Sequence, residues 1–341
     1  MGVDQCRGLS KVPEEGAPNV SLEGVLLLAG PTAVGKSATA LALAGKLGGE
    51  ILSVDSMQVY CGMDIGTAKP SLADRSCVRH HLIDMAEVAE PFDAAAWIRK
   101  ARAGVEDIQR RGRTAILCGG TGLYMKAFLE GLGTAPASDP AVRAELERTP
   151  QSELLVELQQ KDPVLYEQID RQNPRRVIRA VEVCRLSGRA YSTQRAAWHG
   201  TNRVNLATAS PQTAGPLLLA LDRDREDLRQ RIDCRVECMF QAGLVEETRR
   251  LLDQGLARNR TAMQAIGYRQ AIEHLRGERS LQETIVLVKQ RTWQFAKRQL
   301  NWFRNQMEFE WIKLAPGDSP VAVAERLAQI IQCRHPASCR S

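Results

Sequence analysis

The chain of 341 residues has no long hydrophobic run. Its longest, such as Val25 to Ala29 and Leu217 to Leu221, fall far short of the roughly 20 residues that a membrane helix needs. A bilayer-spanning protein is therefore not expected. The first two dozen residues, MGVDQCRGLSKVPEEGAPNVSLEG, have neither the apolar core of a signal peptide nor the acid-poor Arg/Ser bias of a transit peptide. A loose tail over residues 1–22 and a cytoplasmic protein follow as expectations. The nine cysteines (Cys6, Cys61, Cys77, Cys118, Cys184, Cys234, Cys238, Cys333 and Cys339) are scattered through apparent strands and helices, which suits a reducing compartment and not a disulfide framework. Cys234 and Cys238 could share one helix face but supply only two ligands. Cys333, His335 and Cys339 lack the second ligand cluster that a four-coordinate zinc site requires. No internal repeat is present.

What is present is enough apolar content, 44%, to bury a full core, and a modest net charge of +6. The charge matters through its distribution. RQNPRRVIRAVEVCRLSGR carries Arg171, Arg175, Arg176, Arg179, Arg185 and Arg189 around a single Glu182, and KQRTWQFAKRQLNWFRNQ carries Lys289, Arg291, Lys297, Arg298 and Arg304 with no acid.

Apolar strands at Val25 to Ala29, at Ile51 to Val54, within HHLIDMA from His80 and within TAILCGG alternate with helices near Lys36–Lys46 and Asp93–Gln109 and one opening near Thr121. That pattern predicts an α/β fold, a parallel sheet flanked by helices with ligands at its carboxyl edge, and the motif G-x-x-x-x-G-K-[ST] from Gly30 to Ser37 makes that sheet P-loop NTPase-like. After TAPASDP no strand-type run recurs until GPLLLAL at Gly215, and the interval reads as short helices punctuated by Pro and Gly. The predicted organisation is a core over 23–137 and 214–333 with a helical C-terminal half, an all-helical insertion over 138–213, and a second tail over 334–341. Within it, Thr193 to Gly215 reads as an exposed loop, and Leu228, Ile232, Val236, Phe240 and Leu244 mark one long amphipathic helix ending near Gly255. AIGYRQAIEHL and LQETIVLVKQRTWQFAKRQLNWFR read as further helices, EFEWIKL as a late strand and VAVAERLAQIIQ as a last helix.

Gly30, Pro31, Thr32, Ala33, Val34, Gly35, Lys36 and Ser37 satisfy G-x-x-x-x-G-K-[ST] between an apolar strand and a helix. The glycines let successive N–H groups face an anion, the helix dipole adds to them, and Lys36 reaches the outer phosphoryl oxygens. Ser37 would ligate a Mg²⁺ bridging phosphates. An acid ordering that metal at the end of a second strand is harder to find. Asp55 and Asp84 are the candidates, but Asp55 sits in DSMQVY, better suited to gripping a ring than to ordering a water. It reads as a proton acceptor for a bound substrate or as the N-cap of the next turn.

The segments GPTAVGKS, SVDSMQVYCGMDIGTAKP, HHLID, GGTGLY, NPRRVIRAVE, IGYRQ and FAKRQLNWFR, in this order, resemble the tRNA dimethylallyltransferase family, also called isopentenyl-diphosphate:tRNA transferases. The likeness runs from Val25 to about Trp311. It implies transfer of a dimethylallyl group from dimethylallyl diphosphate to N6 of adenosine 37, in tRNAs reading codons that begin with U, by a Mg²⁺-dependent monomer that engages the anticodon stem-loop. Asp55 then matches the general base, Thr121 of GGTG a substrate contact, and Arg143 a residue near the reacting groups. Without the likeness, Thr121 is an ordinary helix cap and Arg143 a solvated charge. The implied RNA contacts are Asp55, Ser56, Met57 and Gln58; Arg175, Arg176, Val177, Ile178 and Arg179 in the insertion; Met263, Gln264, Ala265, Ile266, Gly267 and Tyr268; and Thr292, Trp293, Lys297, Arg298 and Gln299. The sequence departs from the family where Trp293 replaces a common Arg and Asn301 a common Thr. The tail cannot form the zinc finger of eukaryotic members, which places the resemblance on the bacterial side. The rival readings are a prenyltransferase acting on free adenine nucleotides and a P-loop small-molecule kinase or nucleotide-sensing module.

Overall fold

A computed structural model describes residues 21–196 and 215–334. Almost all of both tails, most of the expected Thr193 to Gly215 loop, and Cys6, His335 and Cys339 lie outside the described residues. In chain order the elements are β1 (Leu26–Ala29), α1 (Lys36–Leu47), β2 (Glu50–Val54), α2 (Leu72–Cys77), β3 (His80–His81), α3 (Ala94–Arg110), β4 (Ala115–Gly119) and α4 (Gly122–Glu130). There follow α5 (Pro140–Leu146), α6 (Gln151–Lys161), α7 (Pro163–Gln168), α8 (Pro174–Ser187), β5 (Leu217–Arg223), α9 (Arg225–Gln241), α10 (Leu244–Asp253), α11 (Tyr268–Leu275), α12 (Leu281–Gln306), β6 (Glu310–Leu314) and α13 (Pro320–Arg334).

The six strands form one sheet in the order β3-β2-β4-β1-β5-β6, and every pair is parallel. Side chains alternate across each strand, so Leu27 and Leu117 bury on one face with Trp97 and Phe128. Leu26, Leu28 and Ile116 bury on the other with Leu43 and Leu327. Both faces are thus covered, as a parallel sheet requires. In this order β1 lies between β4 and β5, with β2 beyond β4, which puts the carboxyl ends of β1, β4 and β2 side by side.

The opposite, amino edge is closed by ion pairing. Glu50 opens β2 and accepts from Arg111, just past α3, and from His81 Nε2 at 2.7 Å. The Arg111 hydrogen bonds hold the Glu50 carboxyl down at about 2, against the opposing effect of burial. Stability gained this way is present above the ordinary carboxylate range and is lost as pH falls toward 2.

Helices α5 to α8 carry a core of their own, built on Leu146, Leu154, Leu158, Leu165, Val177 and Val181. Three local expectations need correcting. The long amphipathic helix is two helices, because Gly243 takes a left-handed φ of 95° and turns the chain between α9 and α10 although the apolar spacing continues across it. HHLIDMA pairs only through His80 and His81, since Leu82 and Asp84 adopt left-handed φ of 64° and 55° and leave the strand. The short helix α2 goes unseen in the apolar pattern because it buries no residue; the reciprocal Ser71 and Asp74 capping box defines its start.

Candidate active site

The loop after β1 is shaped for an anion. Gly30 passes so close to β5 that a Cβ there would meet the Leu221 carbonyl oxygen at 2.7 Å. Ala33 and Gly35 take left-handed φ of 64° and 111°, the kind of turn that gathers amide N–H groups around a charge. The Thr32 N–H donates to Gln299 Oε1 at 2.8 Å, and Gln299 Nε2 donates to the Gly120 carbonyl at 2.9 Å. One α12 side chain therefore ties the β1 loop to the β4 loop. Lys36 Nζ donates to the Pro31 carbonyl at 2.6 Å, which sets the ammonium over the loop. Desolvation by burial lowers this amine to about 8; Arg235 acts in the same sense, while Cys118 and Asp55 oppose it. At neutral pH it is largely charged. A cavity of about 350 Å³ opens here between the start of α1 and α9, walled by Lys36, Ser37, Arg231, Cys234 and Arg235.

Asp55 follows β2 directly. Its Oδ1 accepts the N–H groups of Met57 at 2.8 Å and Gln58 at 3.3 Å, so the carboxylate does cap the turn. Among the described residues Oδ2 accepts no hydrogen bond, and Asp55 lines a second cleft of about 370 Å³ with Thr32, Thr121, Arg235 and Arg298. The two oxygens divide the two expected roles: one fixes the side chain and the other is free for a ligand. Thr121 is not a side-chain cap. Its hydroxyl accepts the Ser56 N–H at 3.2 Å instead, which ties the β4 loop to the Asp55 turn. The glycines of GGTG are steric necessities: a Cβ on Gly120 would lie 2.3 Å from the Gln299 amide nitrogen, and one on Gly122 would lie 2.1 Å from the Trp302 ring. Asp84 does not reach either cavity's loop. Lys69 at 2.6 Å and Arg75 at 2.8 Å hold it beneath the MDIGTAKP segment.

Of the sequence-predicted residues, the cleft brings together Asp55, Ser56, Met57, Thr121, Gln264, Ala265, Ile266, Thr292, Arg298 and Gln299. Others serve the frame. Gln58 spans Ser53 and the Thr67 carbonyl. Tyr268 is fully buried and bonds Glu247 at 2.6 Å and the Gly66 N–H at 3.1 Å. Met263 and Trp293 pack against the two core faces, Trp293 beneath Arg225 and Lys297. In the insertion Val177 and Ile178 belong to the local core, whereas Arg175 and Arg176 are exposed. Arg143 does not line the cleft: it meets Glu182 at 3.2 Å, beside Arg179 at 2.8 Å.

Arg235 escaped the sequence reading and is central to the geometry. It lines the anion cavity, the Asp55 cleft and a third, wider opening. Burial lowers its guanidinium while the Asp55 charge raises it, and among the described residues it has neither hydrogen bond nor ion pair. Half-buried at the walls of three openings and without an ion-pair partner, its charge is open to an incoming anion. Its only signal in the sequence was the step of four from Arg231, whose Nε donates to the Ala33 carbonyl at 2.9 Å.

A parallel sheet that carries a phosphate-loop motif and a carboxylate cleft side by side at its carboxyl edge defines an α/β protein of the P-loop type. The chain belongs to the IPP transferase family, whose model matches residues 58–306. It is 42% identical over 289 residues to tRNA dimethylallyltransferase 1 of Citrifermentans bemidjiense, covering 85% of this chain and 92% of that protein. It is 41% identical over 315 residues to the tRNA dimethylallyltransferase of Geobacillus kaustophilus, covering 91% and 96%. Among solved structures it resembles the tRNA delta(2)-isopentenylpyrophosphate transferase of Staphylococcus epidermidis, with TM-score 0.64, 31% identity and coverage of 91% and 99%. It also resembles a eukaryotic dimethylallyltransferase captured acting on tRNA, with TM-score 0.71, 26% identity and coverage of 93% and 80%.

Proposed function

We propose that the chain transfers a dimethylallyl group from dimethylallyl diphosphate to N6 of adenosine 37, in tRNAs reading codons that begin with U, and releases diphosphate. The observation that carries this reading is that Arg235 lines both the Lys36 cavity and the Asp55 cleft. A leaving diphosphate in the first and an acceptor amine in the second would meet at one point. The donor's C1–O bond breaks, its electron pair leaves with diphosphate, and N6 forms the new bond to C1. Lys36, Arg235 and the loop N–H groups receive the developing charge. Asp55 Oδ2 orients the weakly nucleophilic amine and takes its proton. Ser37, on the first turn of α1 beside Lys36, suits Mg²⁺, which commonly keeps one or two protein oxygens and completes its shell with phosphates and water. When bound, that ion would neutralise diphosphate charge.

A base stacked in an RNA loop must turn out to enter such a cleft; Arg298 lines it, and Lys297, Arg175 and Arg176 are exposed cations that would offer further phosphate contacts. A mononucleotide acceptor has no use for this exposed basic surface. A kinase would need the ordered acid that Asp84, held by Lys69 and Arg75, does not supply. Incubation with radiolabelled dimethylallyl diphosphate and either an anticodon stem-loop containing A36-A37 or AMP separates the readings. Label is expected in the stem-loop; label in AMP alone, or in neither, would overturn the assignment.

A further inference from the structure

We propose that Cys234 and Cys238 form a dithiol site for a soft, thiophilic centre such as trivalent arsenic, placed so that its occupation closes the mouth of the anion cradle. Arg231, Cys234, Arg235 and Cys238 recur at helical spacing on α9 and share one face. Cys234 lines the Lys36 cavity, and Cys238 lines the wider opening on the other side of Arg235. Both thiols are free and exposed. The neighbouring Cys234 raises the Cys238 thiol above its ordinary value.

The helix decides which chemistry the pair can perform. Residues four apart on an α-helix are separated by about 6 Å along the axis, whereas a disulfide needs Cβ atoms roughly 3.5–4.5 Å apart. Direct oxidation would have to break α9, but one bridging atom with bonds of about 2.3 Å to each sulfur, as in metal thiolates, spans the gap between turns. Among the described residues no group of three or more His, Cys, Asp or Glu is arranged to hold a metal ion. The site therefore offers two ligands, too few for structural zinc and sufficient for a soft centre that takes two thiolates. With an organic arsenic(III) oxide the step is a condensation: two S–H bonds and the arsenic–oxygen bonds break, two arsenic–sulfur bonds form, one water leaves, and arsenic stays trivalent. The product would stand beside Arg235 and over the cavity. That consequence rests on the diphosphate reading of the cradle; formation of the adduct does not.

Phenylarsine oxide is the probe. Intact-protein mass spectrometry should show one adduct, reversed by 2,3-dimercaptopropanol and resistant to 2-mercaptoethanol. It should persist in Cys61→Ser and become sensitive to 2-mercaptoethanol in Cys234→Ser and in Cys238→Ser, with melting temperatures unchanged. An adduct equally resistant in the double variant, or none in the native protein, would overturn the site. Inorganic diphosphate, followed by calorimetry, should bind at least tenfold more weakly to the adduct; unchanged affinity would overturn the closure.

Discussion

The carboxyl edge of the sheet and the helical insertion hold their charges in opposite ways. At the edge, among the described residues, Lys36 hydrogen-bonds only to a backbone carbonyl, one Asp55 oxygen accepts no hydrogen bond, and Arg235 has no ion-pair partner. In the insertion the inward-facing arginines are neutralised: Arg185 meets Glu157 at 2.6 Å and Glu145 at 2.7 Å, and Glu182, fully buried, holds Arg143, Arg179 and the Ser138 hydroxyl. Arg179 also donates to the Pro136 carbonyl at 2.6 Å. Paired charges fix geometry, while unpaired ones wait for a ligand. The contrast locates chemistry at the edge and leaves Arg175 and Arg176 among the exposed, unpaired cations of the insertion's described residues.

Removing an edge charge should damage turnover far more than folding. Lys36→Met is expected to cost about 10²–10³ in the rate of transfer, the usual effect of losing one preorganised charge donor, with an unchanged thermal transition. A loss below tenfold would blur the contrast. The same lysine predicts a pH dependence, because its amine is lowered to about 8 and only the protonated form binds anions. For the free enzyme, kcat/KM for the donor should fall as pH rises above about 8, and a flat profile through pH 9 would remove Lys36 from donor capture.

An insertion pair should show the reverse pattern. Glu182→Gln leaves Arg143 and Arg179 without their shared anion. Because both are only partly buried, at 29% and 28% exposure, the destabilisation should be about 1–3 kcal/mol, read as an earlier denaturation midpoint. Wild-type stability would show that the cluster is not a fastening. The smallest effect belongs to Arg176→Ala, which should weaken stem-loop binding a few-fold and flatten the salt dependence by roughly 0.7–0.9 for each phosphate that is no longer neutralised. An unchanged salt slope would move RNA binding off α8.

These contrasts also explain what the sequence could and could not show. The phosphate loop was legible because its glycines, lysine and flanking strand are contiguous, and Asp55 because it follows an apolar strand; Thr121 was marked only by the family likeness. Arg235 was not, since its meaning depends on a loop some two hundred residues earlier folding against α9. Glu182 read only as the single acid among six arginines; packing shows it fully buried. The break before α10 was hidden because the apolar period runs through Gly243, and only a backbone angle reveals it.

The central claim is that one edge of the sheet separates anion capture from proton removal. Asp55→Ala, assayed for transfer to the stem-loop and, in parallel, for binding of inorganic diphosphate by calorimetry, tests it most directly. The account predicts transfer reduced by about 10²–10⁴ with diphosphate affinity within twofold of the native protein. Loss of both would assign Asp55 to the anion site or to the fold, and retention of transfer would contradict its role as the base.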